Sequence, residues 1–147
     1  LNLINKSEWV IEVIIENLEI KKNLYTKIDE IMKDDLIVSS NTSTIPIKLL
    51  SEGLSKKFKK NFLITHFFNP PRYLKLLEIV KSDDTKKEIM RKIIEFCDIH
   101  LGKTVIETKD TPGFIANRVG LYSVACALSE LQSGQFTIDG FYYLRYR

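Results

Sequence analysis

Two side chains in this sequence, His66 and Glu78, have the types and spacing for proton transfer. Glu78 interrupts the apolar run Leu76–Val80, and a carboxylate buried in such a run needs a partner because its desolvation is costly. His66 lies just before a turn that contains Pro70-Pro71, and this turn can bring the two residues together. An imidazole changes its protonation near neutral pH, and a paired carboxylate fixes its tautomer. We therefore expect a His–carboxylate pair; the alternative for His66 alone is a structural histidine.

Polar side chains also follow three successive predicted strands. In chain order they are Glu16-Asn17, the segment Ser39-Ser40-Asn41-Thr42-Ser43-Thr44, and His66 with Phe67-Phe68-Asn69-Pro70-Pro71. In open α/β sheets, ligands bind beyond the carboxyl ends of the strands. The pattern therefore predicts a ligand site at that edge of the sheet. The alternative for the serine and asparagine residues is a role in turns or helix caps.

The cysteines and histidines give little support to a metal site. Cys97 and His100 are spaced like two ligands on one helix, but the sequence has no second pair, and Cys97 belongs to an apolar stripe. We predict that no metal is bound. Cys97 and Cys126 are far apart in the chain, which indicates no disulfide framework and a reducing compartment, the cytoplasm.

Length and charge restrict the class of protein further. The 147 residues suffice for a domain with a real core, and the net charge of +3 with scattered lysines disfavours nucleic-acid binding. The four lysines within residues 56–60 are predicted to lie in a solvated loop, with a phosphate-rich ligand as the alternative. No apolar run reaches the roughly 18–20 residues that span a membrane, and no signal-peptide pattern is present. Since the chain opens with Leu1 almost directly into a strand, we expect that its true N-terminus is missing.

Strands alternating with helices must position these residues, which indicates an α/β fold with a parallel sheet. Strands are predicted at Trp9–Ile15, Leu36–Val38, Asn61–Thr65, Leu76–Val80 and Lys103–Thr108, and helices at Leu18–Met32, Ile47–Leu54, Thr85–Leu101 and about Gly113–Leu131. Asp83 or Asp84 is expected to cap the third helix. Thr111 is expected as the N-cap of the last helix, with Pro112 at its first position. This last helix is apolar nearly all round, so we expect it to be buried within a domain or against a partner.

Four segments of the sequence resemble those of NAD-dependent 3-hydroxyacyl-CoA dehydrogenases. They occur in the family's order and together cover about residues 8–131. The segments are Val13-Ile14-Ile15-Glu16-Asn17-Leu18, Ser40-Asn41-Thr42-Ser43, Leu63-Ile64-Thr65-His66-Phe67-Phe68-Asn69-Pro70, and Lys109-Asp110-Thr111-Pro112-Gly113-Phe114-Ile115-Ala116-Asn117-Arg118. The resemblance implies oxidation of 3-hydroxyacyl-CoA to 3-oxoacyl-CoA with hydride transfer to NAD, in fatty-acid β-oxidation or a related CoA pathway.

The resemblance also implies a role for each matching residue. His66 matches the general base that takes the proton of the C3 hydroxyl, and Glu78 matches the acid that orients this base. Ser43 and Asn117 match residues that bind the substrate oxygen beside the base. The positions that match the cofactor side are Glu16, Lys21, Asn41 and Asn69. The family's dimers imply a homodimer for the full-length protein.

The chain departs from the family in what it lacks. It contains no G-x-G-x-x-G, so the family's first βαβ unit with its pyrophosphate loop is absent. We therefore expect residues 1–109 to be the distal part of a Rossmann-type NAD-binding domain. Residues 110–147 are expected to contain the first helix of a truncated, all-helical C-terminal dimerisation domain, although residues 140–147 do not resemble the family. On its own the chain is expected to bind NAD weakly and to turn over poorly.

Two other functional classes fit the sequence less well. One alternative is a non-catalytic binding or structural relative of the same fold, or an inactive fragment. The intact His66, Glu78, Ser43 and Asn117 argue against a non-catalytic relative. A β-hydroxyacid dehydrogenase with a lysine base is disfavoured because that class lacks the His-Phe-Phe-Asn-Pro strand end.

Overall fold

The computed structural model describes residues 3–134 and 137–139, and in them five strands form one sheet in the order β1-β2-β3-β4-β5. The strands are β1 (Trp9–Glu12), β2 (Ile37–Ser40), β3 (Phe62–Phe67), β4 (Leu76–Lys81) and β5 (Thr104–Thr108). The helices are α1 (Leu18–Ile31), α2 (Ile47–Leu50), α3 (Lys56–Lys60), α4 (Lys87–Ile99) and α5 (Ala116–Gln132), with a short 3-10 turn at Ile4–Lys6. The predicted α/β class is confirmed.

The sheet is parallel except between β3 and β4. A helix joins β1 to β2 and β4 to β5, and these crossovers return the chain in the same direction. Only residues 68–75 lie between β3 and β4, and they contain no helix, so β4 runs antiparallel to β3. The short turn places His66 directly opposite Glu78 in the ladder.

The first strand is shorter than predicted. It ends at Glu12, a residue that is 3% exposed, whereas Val13 and Ile15 beyond it are 69% and 68% exposed. The predicted strand Trp9–Ile15 is therefore wrong after Glu12. The reason is that Ile14 turns back and donates its N–H to the carboxylate of Glu12 at 2.6 Å, instead of continuing the ladder.

An aromatic cluster packs α1 and α3 against the sheet. The rings of Tyr25, Phe58 and Phe62 lie with their centroids 5.0–5.7 Å apart, and all three side chains are buried. The buried residues of α1 are Lys21, Tyr25 and Ile28, whereas Ile31 is 38% exposed. The four lysines within 56–60 lie on helix α3, not in a loop, because Phe58 anchors that segment in the core.

The start of α4 differs from the expected cap. Its N-cap residue is Lys86, and no side chain caps it. Neither Asp83 nor Asp84 takes this position. Thr85 instead donates its hydroxyl to the carbonyl of Phe62 at 2.8 Å and accepts the N–H of Ser82 at 3.0 Å. The apolar face of α4 is formed by Met90, Ile93 and Cys97, while Phe96 is 42% exposed.

Contacts divide the chain into two units between Phe114 and Ile115, where the predicted boundary was 109/110. The last helix begins at Ala116, so Thr111 and Pro112 do not start it. Gly113 and Phe114 have φ angles of 75° and 47°, which a right-handed helix cannot contain. Several apolar residues of α5 are exposed, among them Leu121 and Tyr122 at 71% and 72%, so burial against a partner remains a prediction.

Candidate active site

His66 and Glu78 form the predicted pair. They face each other across β3 and β4, with His66 Nδ1 2.8 Å from Glu78 Oε2. Both side chains are buried, at 5% and 1% exposure. When Glu78 is a carboxylate it only accepts hydrogen bonds, and the matching tautomer of His66 is the one whose Nδ1 carries the hydrogen and donates it. The second ring nitrogen, Nε2, then has a free lone pair for accepting a proton, which is the protonation state that a general base needs.

Two aromatic rings border the imidazole. The ring of Phe68 lies 4.4 Å from that of His66, and the ring of Phe114 lies 5.6 Å from it, measured between centroids. Phe114 is fully buried and has a left-handed backbone conformation, which is uncommon for a residue with a side chain and occurs often at functional sites. The turn at Thr111–Phe114, closed by a 2.9 Å backbone hydrogen bond, presents this ring to the histidine. Sequence patterns did not single out Phe114.

The carboxylate of Glu16 organises the loop after β2. Its Oε1 accepts the hydroxyl of Thr42 at 2.5 Å and the backbone N–H groups of Ser43 at 3.0 Å and Thr44 at 3.2 Å. Partial burial raises the pKa of Glu16, but these hydrogen bonds and the charge of Lys21 outweigh it and hold the pKa below 4.5. Glu16 is therefore ionised at neutral pH and fixes the backbone at Ser43.

The predicted cofactor-side residues differ in their exposure. Lys21 is buried, at 1% exposure, and its ammonium donates to Glu12. Asn41 uses its Oδ1 to accept the N–H of Phe67 at 2.9 Å, which ties the end of β2 to the end of β3. Asn69 is exposed and precedes a cis proline bond. Glu16, Asn41 and Asn69 thus all follow strand ends at one edge of the sheet.

The two residues predicted to bind the substrate oxygen lie in different units. Ser43 is half-buried in the loop held by Glu16, in the same unit as His66. Asn117 is the second residue of α5, in the second unit, and is also half-buried.

Sequence reasoning missed a buried polar cluster beneath this edge. Glu12 accepts hydrogen bonds from Lys21 at 2.7 Å and Ser40 at 2.7 Å, and also from the hydroxyl of Tyr25. Burial raises the pKa of Tyr25 far above its ordinary value, and the bond to Glu12 adds to this, so the hydroxyl stays protonated and donates. The signal for this cluster was present, because Glu12 interrupts an apolar run as Glu78 does.

The polar groups at the strand ends fit one half of a dinucleotide cofactor. Glu16, Asn41, Ser43 and Asn69 offer amide, hydroxyl and carboxylate groups, which suit the carboxamide and ribose hydroxyls of a nicotinamide nucleoside. None of these four side chains carries a positive charge, and the ammonium of Lys21 is buried. The donor set fits the nicotinamide end of NAD.

Among the described residues, no three His, Cys, Asp or Glu side chains are grouped so that they could hold a metal ion. Cys97 is buried, and burial raises the pKa of its thiol to about 11, so the thiol is neutral. Within the same residues, no helix combines the length and apolar character that crossing a bilayer requires.

Comparison with known proteins gives consistent matches. Residues 1–111 match the family model of the 3-hydroxyacyl-CoA dehydrogenase NAD binding domain. A Bacillus subtilis protein named as a probable 3-hydroxyacyl-CoA dehydrogenase is 46% identical over 135 residues, which are 92% of this chain and 17% of that protein. A Rickettsia felis protein named as a trifunctional enzyme of the fatty acid oxidation complex is 52% identical over 122 residues, which are 83% of this chain and 17% of that protein.

A similar fold is found among solved structures. The (S)-3-hydroxybutyryl-CoA dehydrogenase of Ralstonia eutropha matches with a TM-score of 0.83 and 30% identity, over 94% of this chain and 47% of that one. The predicted Rossmann-type fold is thereby confirmed. The chain spans 17% of the length of the two curated relatives described above.

Proposed function

The chain belongs to the 3-hydroxyacyl-CoA dehydrogenase family, and we propose that it carries the proton-transfer centre of an enzyme that oxidises 3-hydroxyacyl-CoA to 3-oxoacyl-CoA. The family model is an NAD-binding domain, so the cofactor is NAD. NAD supplies the nicotinamide ring that accepts a hydride. What this chain contributes is the control of the proton.

The buried pair of His66 and Glu78 carries the proposal. His66 Nε2 takes the proton of the C3 hydroxyl, and the ring becomes an imidazolium. Glu78, 2.8 Å from Nδ1, stabilises that positive charge and keeps Nε2 directed at the substrate. Because both side chains are nearly excluded from water, the attraction between them is stronger than it would be at the surface. A metal is not required if hydrogen-bond donors polarise the oxygen.

The other predicted site residues bind the substrate or the cofactor. Ser43, whose backbone is fixed by Glu16, hydrogen-bonds the reacting oxygen of the substrate. The family resemblance assigns a substrate-binding role to Asn117 as well. Glu16, Lys21, Asn41 and Asn69 form the cofactor side. The substrate is an acyl-CoA, the pathway is fatty-acid β-oxidation or a related CoA route, and the full-length protein is a homodimer. The relative named for fatty acid oxidation supports the pathway.

Replacement of the base tests the proposal. In the full-length protein encoded by the gene, His66→Gln should lower kcat for reduction of acetoacetyl-CoA by NADH by about 10²–10⁴-fold, the usual contribution of a positioned base. His100→Gln is the matched control, since His100 is the second of the two histidines and is exposed. Parent-like turnover in His66→Gln would refute the role of the base. NADH binding without any turnover in the parent would indicate a non-catalytic relative.

A further inference from the structure

Glu12 lies at the end of β1 with its carboxylate inside the protein. Its side chain is fully buried, and both oxygens accept hydrogen bonds. Oε1 accepts from Lys21 at 2.7 Å and from the N–H of Ile14 at 2.6 Å, while Oε2 accepts from Ser40 at 2.7 Å and from Tyr25. A buried charge with this many donors is held in one place.

Lys21 connects this interior carboxylate with one at the surface. Its ammonium lies 2.7 Å from Glu12 Oε1, 3.3 Å from the carbonyl of Ile14 and 3.5 Å from Glu16 Oε2. With 1% of its side chain exposed, Lys21 has little surface with which to touch a ligand directly. Its effect on a bound ligand therefore passes through Glu16.

The two carboxylate oxygens of Glu16 contact different groups. Oε2 faces the ammonium of Lys21 at 3.5 Å, and Oε1 accepts the donors of the loop at 42–44. The attraction of Lys21 for Oε2 orients the carboxylate so that Oε1 points at the backbone of Ser43 and Thr44. Without that charge the half-exposed Glu16 side chain has other rotamers available.

We propose that Glu12 and Lys21 are positioning residues, which set the carboxylate of Glu16 and thereby the conformation of the Ser43 loop on the cofactor side. The inference rests on the proposed function, because it assigns these two residues an effect on that same site. Buried ion pairs add little net stability when both members are compared with neutral residues. Fixing the geometry of a functional loop explains why an ion pair is placed here.

A double substitution tests the pair without leaving a charge unpaired. Lys21→Met alone would strand the buried Glu12 carboxylate and endanger folding. Glu12→Gln combined with Lys21→Met removes both charges and retains similar side-chain volumes. The matched control is Lys22→Met with Glu52→Gln, which neutralises the exposed pair at 3.2 Å that Lys22 of the same helix forms. All variants are made in the full-length protein encoded by the gene.

Two measurements are needed, and the first does not depend on activity. Hydrogen exchange followed by mass spectrometry should show amides in a peptide over 41–45 exchanging about fivefold faster in the double variant, as expected for loss of one partly exposed ion pair. Exchange in β3 should be unchanged. In steady-state kinetics, KM for NADH should rise about fivefold. KM for acetoacetyl-CoA should rise as well, because the same loop carries Ser43, which bonds the reacting oxygen of the substrate. A purely structural role would lower kcat through loss of folded enzyme and leave KM for NADH alone.

The outcomes separate the two proposals. A folded double variant with parent-like exchange over 41–45 overturns the inference, as does faster exchange with an unchanged KM for NADH. The inference is supported if the double variant shows both faster exchange over 41–45 and a higher KM for NADH, and the control variant shows neither. A parent protein that binds NADH but reduces no acetoacetyl-CoA refutes the proposed function. In that case the dissociation constant for NADH replaces KM. Together with the exchange data it shows whether Glu12 and Lys21 position Glu16.

Discussion

Replacement of Glu78 by glutamine changes one charge beside the base and little else. The glutamine side chain has nearly the same shape and keeps an oxygen that can accept the hydrogen of His66 Nδ1. The neutral imidazole loses little, because the bond from Nδ1 remains. The imidazolium that forms in the reaction loses its carboxylate. The effect should therefore fall on the transition state and appear in kcat, with little change in KM.

The size of the effect follows from the geometry. Nδ1 and Oε2 are 2.8 Å apart, so the centres of the two charges lie about 4 Å apart. At an effective dielectric constant of about 20, that separation corresponds to about 4 kcal/mol of attraction. Loss of that stabilisation from the transition state corresponds to about a 10³-fold decrease in kcat.

The assay is NADH-dependent reduction of acetoacetyl-CoA by the full-length protein, with parent and variant compared at saturating substrate. Glu107→Gln is the control, because Glu107 is a half-exposed glutamate of β5 that pairs with Lys81 at 2.5 Å. Urea unfolding should place Glu78→Gln within about 1–2 kcal/mol of the parent, since one hydrogen bond is retained. A well-folded Glu78→Gln enzyme with kcat within about threefold of the parent would refute the charge argument, whose expected loss is far larger.

Two further predictions concern stability, each measured by urea unfolding. The pKa of Glu16 is lower in the folded protein than its ordinary value of 4.5. Ionised Glu16 therefore stabilises the fold fully at pH values above 4.5. This stabilisation is lost as the pH falls through the lowered pKa of the folded protein. The destabilisation caused by Glu16→Gln should therefore be largest near neutral pH and shrink in acid; a difference that is constant with pH would contradict this. Lys103 is buried and donates to the carbonyls of Pro71 and of Leu74, the latter at 2.8 Å, within the turn that joins β3 to β4. Lys103→Met should lower the free energy of unfolding by about 2–4 kcal/mol, while the exposed control Lys87→Met should change it little; equal effects of the two would contradict the role of these bonds.

The pairing of His66 with Glu78 was predictable because both premises are local. A glutamate inside an apolar run signals burial, and a short proline-containing turn signals that the next segment returns beside the last. The same premise applied to Glu12, but its partners were not predictable in this way. Lys21 and Tyr25 lie on a helix and Ser40 on a different strand, and only helix packing brings them within hydrogen-bond distance.

The sequence pattern also predicted the wrong start for α5, because backbone angles decide where that helix begins. Thr111 and Pro112 are good residues for a helix start, yet the left-handed angles at Gly113 and Phe114 delay α5 to Ala116. That delay presents the ring of Phe114 to His66. Apolar periodicity likewise extended β1 to Ile15, because it does not show that Ile14 bonds the carboxylate of Glu12 instead of a neighbouring strand.

The sequence by itself determined the α/β class, the order of the elements, the family and the residues that could transfer a proton, since these depend on periodicity, burial and motifs along the chain. Only the tertiary structure decided that Lys21 is buried between Glu12 and Glu16, and that Glu16 holds the backbone of Ser43. The physical reason is that hydrogen bonds and ion pairs act over a few ångströms. Distances of that size between residues far apart in the chain are set by packing, which no local pattern contains.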